Sequence, residues 1–273
     1  MIEVIHLFPE LDQRLISLLK GLNDRQWASA TVCREWTVGD IAAHLLDTCL
    51  RRLSIGRDGF RTLPPSGDPS FGNMVRFLND LNASWVAAFK RVSPEVLTGM
   101  LETFQPEYER YLAGLDPEGP ALFPVAWAGE EQSKNWFDIA REYTERFLHQ
   151  QQIRHAVGAE SLLTRELYFP FLDILMQALP FTYNTWLPDT PESVTVRVDI
   201  IGEAGGSWTV RKDTSGWAFA SETRTPDSQV YISEQIAWLL LSKGIDVMEA
   251  RQFWQVTGDQ ELGSGALRMI SVM

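Results

Sequence analysis

The chain has 273 residues, 45% of them hydrophobic and 22% charged, a balance that supports one large or two moderate buried cores and excludes large-scale disorder. With 24 basic against 36 acidic side chains its formal charge is −12; no run of Lys or Arg offsets this, so nucleic acid and anionic lipid surfaces are excluded as partners. No window is apolar for the roughly 18 residues that a membrane span requires, and the acidic opening MIEVIHLFPELDQR is no signal peptide, so a cytoplasmic protein with no membrane partner is expected.

Two cysteines, Cys33 and Cys49, cannot form a disulfide framework, and so few suit a reducing compartment. From Leu7 to Leu22, apolar residues at Leu7, Leu11, Leu15, Ile16, Leu18 and Leu19 predict an amphipathic helix that ends at Gly21 and Asn23-Asp24. The irregular stretch TVCREW follows. A second helix then starts at Thr37, with Asp40 three residues on in the manner of a capping box. In it Ile41, His44, Leu45 and Thr48 share one face, so His44 is expected to point inward. A buried imidazole satisfies its nitrogens with hydrogen bonds or with a metal, and the sequence alone leaves both open.

Residues 57–69, rich in Gly and Pro, read as a loop. Helical patterns cover residues 71–92 and, after Ser93-Pro94, residues 94–115; residues 116–133 are irregular again. A long helix spans Lys134 to Val157. Ile139, Tyr143, Phe147, Ile153 and Val157 draw its apolar side, and Asp138, Glu142, Glu145, His149 and Gln152 form a polar stripe that is either solvated or lines a wet interior. Residues 166–179 suggest one more helix, and Pro180 with YNTWLPDTPES reads as an interdomain linker.

Beyond the linker the period changes to two. Val194, Val196, Val198 and Ile200 alternate with polar residues, WTVRK and WAFA follow around a turn, and residues 229–232 suggest a further strand. Ser233 is placed to cap an apolar helix closed by Gly244, and residues 266–272 read as a terminal helix. There is no glycine-rich phosphate loop, zinc-binding cysteine pair or GxSxG sequence, so neither a nucleotide cradle nor an α/β-hydrolase nucleophile is supported.

Glu145 and His149 are four residues apart on one helix face and can converge on a single point, as a metal ligand pair or as a weak surface contact. Two imidazoles and one carboxylate, with His44 as the third member, fit a catalytic divalent ion with a coordination position left open. His6 and His155 are read as unrelated to the site. Arg197, Arg211 and Arg224 are candidates to reach an acidic substrate across an interdomain cleft.

The segment TVCREWTVGDIAAHLLD resembles the Cys-x-x-Trp-Thr-Val-x-Asp-x-x-x-His-Leu pattern of mycothiol-dependent maleylpyruvate isomerases, and EYTERFLHQQQIRHAVG resembles their Glu-x-x-x-His helix. Those enzymes belong to the DinB-like metal-dependent thiol transferase superfamily. The resemblance implies an α+β chain, a DinB-like four-helix-type bundle over residues 1–185 and a small α/β sterol-carrier-like domain over residues 190–273. It makes His44, Glu145 and His149 ligands of Zn²⁺ or another divalent metal such as Ni²⁺, and mycothiol the low-molecular-weight thiol cofactor. Gln152 and Arg154 become candidates to bind that thiol. Gln150 and Gln152 stand where relatives often have His and Asp, which sets the surroundings of the site apart while leaving the ligands intact. The expected partners are a small thiol and an electrophilic substrate, in a monomer or homodimer. The competing reading is a non-catalytic metal- and ligand-binding protein of the same fold.

Overall fold

The computed structural model describes residues 1–60, 71–221 and 224–269. Among the described residues eight α-helices come first: α1 (Phe8–Gly21), α2 (Asp24–Trp27), α3 (Val38–Arg52), α4 (Phe71–Phe89), α5 (Pro94–Ala113), α6 (Asn135–Val157), α7 (Arg165–Met176) and α8 (Leu179–Trp186). A sheet unit follows, made of β1 (Thr195–Ile201), β2 (Gly206–Asp213), β3 (Gly216–Phe219), β4 (Ser228–Ser233), α9 (Glu234–Leu241), β5 (Trp254–Gly258) and α10 (Gln260–Ala266). The α+β division into an N-terminal helical domain and a small C-terminal sheet domain is therefore as the resemblance implied.

The expected capping box at the start of α3 is formed. Asp40 Oδ2 accepts from Thr37 N at 2.9 Å, and Thr37 Oγ1 accepts from Asp40 N at 3.3 Å. A second capping box, Asn23 with Gln26, starts α2 inside the stretch read as a helix end. Beyond α3 the chain makes a single π-helical turn, Leu53–Arg57, which reaches the first residue of the expected loop. Most of that loop, residues 61–69, lies outside the described residues.

Helix α6 is the axis of the bundle and is buried along nearly all of its length. Its apolar side packs on α7, where Phe147 stacks on Phe171 with centroids 4.5 Å apart and Tyr143 donates to Leu167 O at 2.7 Å. Gly158, with φ of +67°, ends it in the left-handed conformation that glycine adopts without a Cβ penalty. Much of the polar stripe is neither solvated nor wet. Asp138 bonds Arg52 and Arg141, and Glu142 accepts from Tyr108 and Arg141.

The five strands lie in the order β3-β2-β1-β4-β5, with β1 and β4 parallel and the remaining pairs antiparallel. Val196, Val198 and Ile200 face the helices, and one apolar core runs from the bundle into the sheet through α7 and α8. Three sequence expectations need correction. The segment read as a linker from Pro180 begins with helix α8, leaving only residues 187–193 irregular: proline suits a first turn, and buried Tyr183 packs on Trp217 of β3. Strand β5 was not foreseen, being a five-residue edge strand. The last helix begins at Gln260, capped by Asp259, and ends at Ala266, where it was expected to begin. Gly263 and Gly265 weaken helix propensity, yet Val256 and Tyr183 approach them too closely to admit a side chain. The final part of that expected helix, residues 270–272, lies outside the described residues.

Candidate metal centre

Helices α3 and α6 carry the cluster, and their caps and packing fix where its side chains project. His44 lies two turns into α3, 5% exposed. Its Nε2 is 4.0 Å from Glu145 Oε2, and His149 Nε2 is 3.3 Å from the same oxygen. The two imidazole rings meet edge to face with centroids 4.8 Å apart. The three donor atoms all lie within 4.8 Å of one another, and among the described residues this is the cluster of His, Cys, Asp and Glu able to share an ion.

Tetrahedral coordination with bonds of about 2.0–2.1 Å sets donor atoms about 3.3–3.4 Å apart. The His149 to Glu145 separation already matches, while His44 must close by about 0.7 Å to reach the same spacing. The donor set is that of a catalytic divalent ion rather than a structural one, because three protein ligands leave a position open. Glu145 is the most exposed of the three, its side chain 25% accessible against 6% for His44 and 11% for His149.

The electrostatics agree with a cation site. Burial drives the pKa of His44 down, beyond what the hydrogen bond to Glu145 restores, so the ring is held neutral and able to ligate. Burial alone would raise the pKa of Glu145. Its hydrogen bonds to His149 and His44 outweigh that and hold its carboxyl well below the usual range, so it is ionised.

Trp36 is a member of the site that the residue patterns did not single out. It lies on the turn before α3, with its ring centroid 4.8 Å from that of His44 and 6.0 Å from that of His149. The one signal it gave was its place in the quoted motif. Gln152 joins the cluster, its Oε1 2.9 Å from His149 Nδ1. Arg154 does not: it donates to Glu160 O at 2.8 Å and Arg14 O at 3.1 Å, and lines a separate cleft of about 420 Å³ between α1 and the end of α6. Gln150 donates to Leu11 O.

The arginines of the sheet domain are placed elsewhere. Arg197 bonds Asp199 and Ser207 on the outward face of the sheet, Arg211 alternates with buried Val210 and so shares that face, and Arg224 bonds Ser193 O. Glu145 and His149 project about half a turn away from Tyr143 and Phe147, which pack on α7, so the cluster and the sheet domain lie on opposite sides of α6. His155 packs on Trp238 of α9.

Neither cysteine is an activated nucleophile. Burial and the nearby Glu35 push the Cys33 thiol up, and burial pushes the fully buried Cys49 up to about 12 despite Arg146 beside it. Any thiol chemistry at the cluster therefore uses a thiol brought from outside.

Comparison with known proteins follows the same line. The model of the mycothiol maleylpyruvate isomerase N-terminal domain matches residues 8–154. Crystal structures of the mycothiol-dependent maleylpyruvate isomerase and of a point mutant of it each superpose with a TM-score of 0.51. The first is 11% identical and covers 87% of each chain; the mutant is 10% identical and covers 93% of this chain and 91% of its own. A Sterol Carrier Protein 2 Like 2 from Aedes aegypti, 15% identical, covers 36% of this chain and 95% of its own at a TM-score of 0.28. No curated protein sequence matches. At these identities the two isomerase superpositions establish the fold alone. With its N-terminal half matched by the family model, the chain belongs to the mycothiol maleylpyruvate isomerase N-terminal domain family.

Proposed function

We propose that this protein is a divalent-metal-dependent enzyme that activates a low-molecular-weight thiol, mycothiol by its family, for isomerisation of, or transfer to, a small electrophile. The observation that carries the proposal is the convergence of His44 Nε2, Glu145 Oε2 and His149 Nε2 in a chain whose own thiols are both held protonated.

A divalent ion held by His44, Glu145 and His149 would lower the pKa of a thiol in its open position from about 8.5 and so favour the thiolate at neutral pH. The chain does the rest. His44 and His149 present neutral imidazole lone pairs, and Glu145 offsets part of the positive charge. Trp36 packs beside both rings, closest to His44. With such a thiol bound, reversible addition of its sulfur to a conjugated double bond would give isomerisation, and return to the adduct of the proton the thiol gave up would give transfer.

The test is turnover of maleylpyruvate and of simple conjugated electrophiles with mycothiol, bacillithiol and glutathione supplied in turn. Thiol-dependent turnover is expected with mycothiol and is expected to disappear in His149→Ala. Stoichiometric metal with no turnover of any thiol would assign the chain to a binding role.

A further inference from the structure

We infer that Gln152 sets the tautomer of His149 and so aims its Nε2 at the shared point, leaving the two imidazoles of the cluster unequally held; the inference rests on the metal reading above. A neutral imidazole carries one N–H and one lone pair, and whatever bonds one nitrogen decides what the other can offer. His149 Nδ1 lies 2.9 Å from Gln152 Oε1, and both residues are buried. With a carboxamide oxygen accepting from Nδ1–H, a cation would find the Nε2 lone pair turned toward Glu145 Oε2, 3.3 Å away, whereas without a cation Nε2 is the donor to that oxygen. Two acceptors at that distance repel unless a cation lies between them.

The carboxamide also serves the state without a cation. Rotated end for end, its NH₂ donates to Nδ1, and the proton moves to Nε2, which then donates to Glu145. A carboxylate at position 152 would hold only the first arrangement, and an alkyl side chain neither. Among the described residues His44 has no such partner: its Nδ1 is buried without a hydrogen bond, and the ring of Trp36 lies tilted at 45° against its own. The distances match this asymmetry, with His149 already at ligand spacing from Glu145 and His44 further out. Gln152 is thus a positioning residue, and His44 the ligand that closes last.

The experiment compares the full-length chain with Gln152→Leu, Gln152→Glu and His149→Ala. Zn²⁺ affinity is read by competition with a chromophoric chelator, and histidine tautomers from imidazole ¹⁵N shifts. Gln152→Leu should weaken Zn²⁺ binding about 10- to 100-fold, the usual effect of losing such an outer partner, and should give mixed tautomers at His149. Gln152→Glu should bind at least as tightly as wild type, with the proton fixed on Nδ1. Wild-type affinity and tautomer in a folded Gln152→Leu chain would overturn the inference and leave the metal reading standing. If that variant does not fold, weaker binding by Gln152→Glu overturns it instead. A wild-type chain that binds no Zn²⁺ removes the metal reading and this inference with it.

Discussion

Buried charge in this protein is handled pair by pair, and the pairs differ in what they do. Arg146 bonds Asp12 and lies over the ring of Tyr108, and Arg52 bonds Asp138, so these guanidiniums are matched inside the bundle. Glu109 is the exception. Burial, and a proton shared with Asp12, raise its pKa from 4.5 to about 8. Between those values the folded state keeps a proton that the unfolded state releases, so this group makes the fold less stable as pH rises through that window. Chemical denaturation at a series of pH values should show that decline, and Glu109→Gln should flatten it; an unchanged slope would contradict the shared proton. Some of this was legible in the residues. Asp12 interrupts the apolar stripe of Phe8, Leu11, Leu15 and Leu19, and Arg52 that of Leu45 and Cys49, and a charge on an apolar stripe signals a buried partner. Which partner it meets is set by helix packing across more than 80 positions of sequence.

At the scale of elements, local chemistry determined what could be read. The Thr37/Asp40 box marks the start of α3 in the sequence and in the structure, because it is a contact between near neighbours. Lys90 reaches back to Asp40 from beyond α4, which ties this helix end to the bundle. Thr37→Ala should cost about 1 kcal/mol of stability, seen as a lower denaturant midpoint at constant slope. No change in midpoint would show that the cap carries nothing. Helix α8 and strand β5 escaped the sequence reading for the opposite reason. Tyr183 donates to Leu262 O and Asn184 bonds the backbone of Trp217, contacts whose partners come from the far end of the chain. Without them, Pro180 and its neighbours carry only the signals of a linker.

For the molecule as a whole, the decisive feature is where the cluster sits. Its three members were legible because Glu145 and His149 share a helix face and His44 faces inward on another. That the two faces oppose each other was supplied by packing of α3 on α6. Packing also placed the sheet domain behind α6, away from the cluster, so the arginines Arg197 and Arg211 that sequence reasoning offered to an acidic substrate lie on the wrong side. The helical domain carries the metal chemistry in this account, and the sheet completes its core. The measurement that bears most directly on it is elemental analysis of the full-length protein purified without added metal. The account predicts about one Zn²⁺, or one comparable divalent ion, per chain, lost in both His44→Ala and His149→Ala while the fold persists. Full metal occupancy in either variant, or none in the wild-type chain, would contradict it.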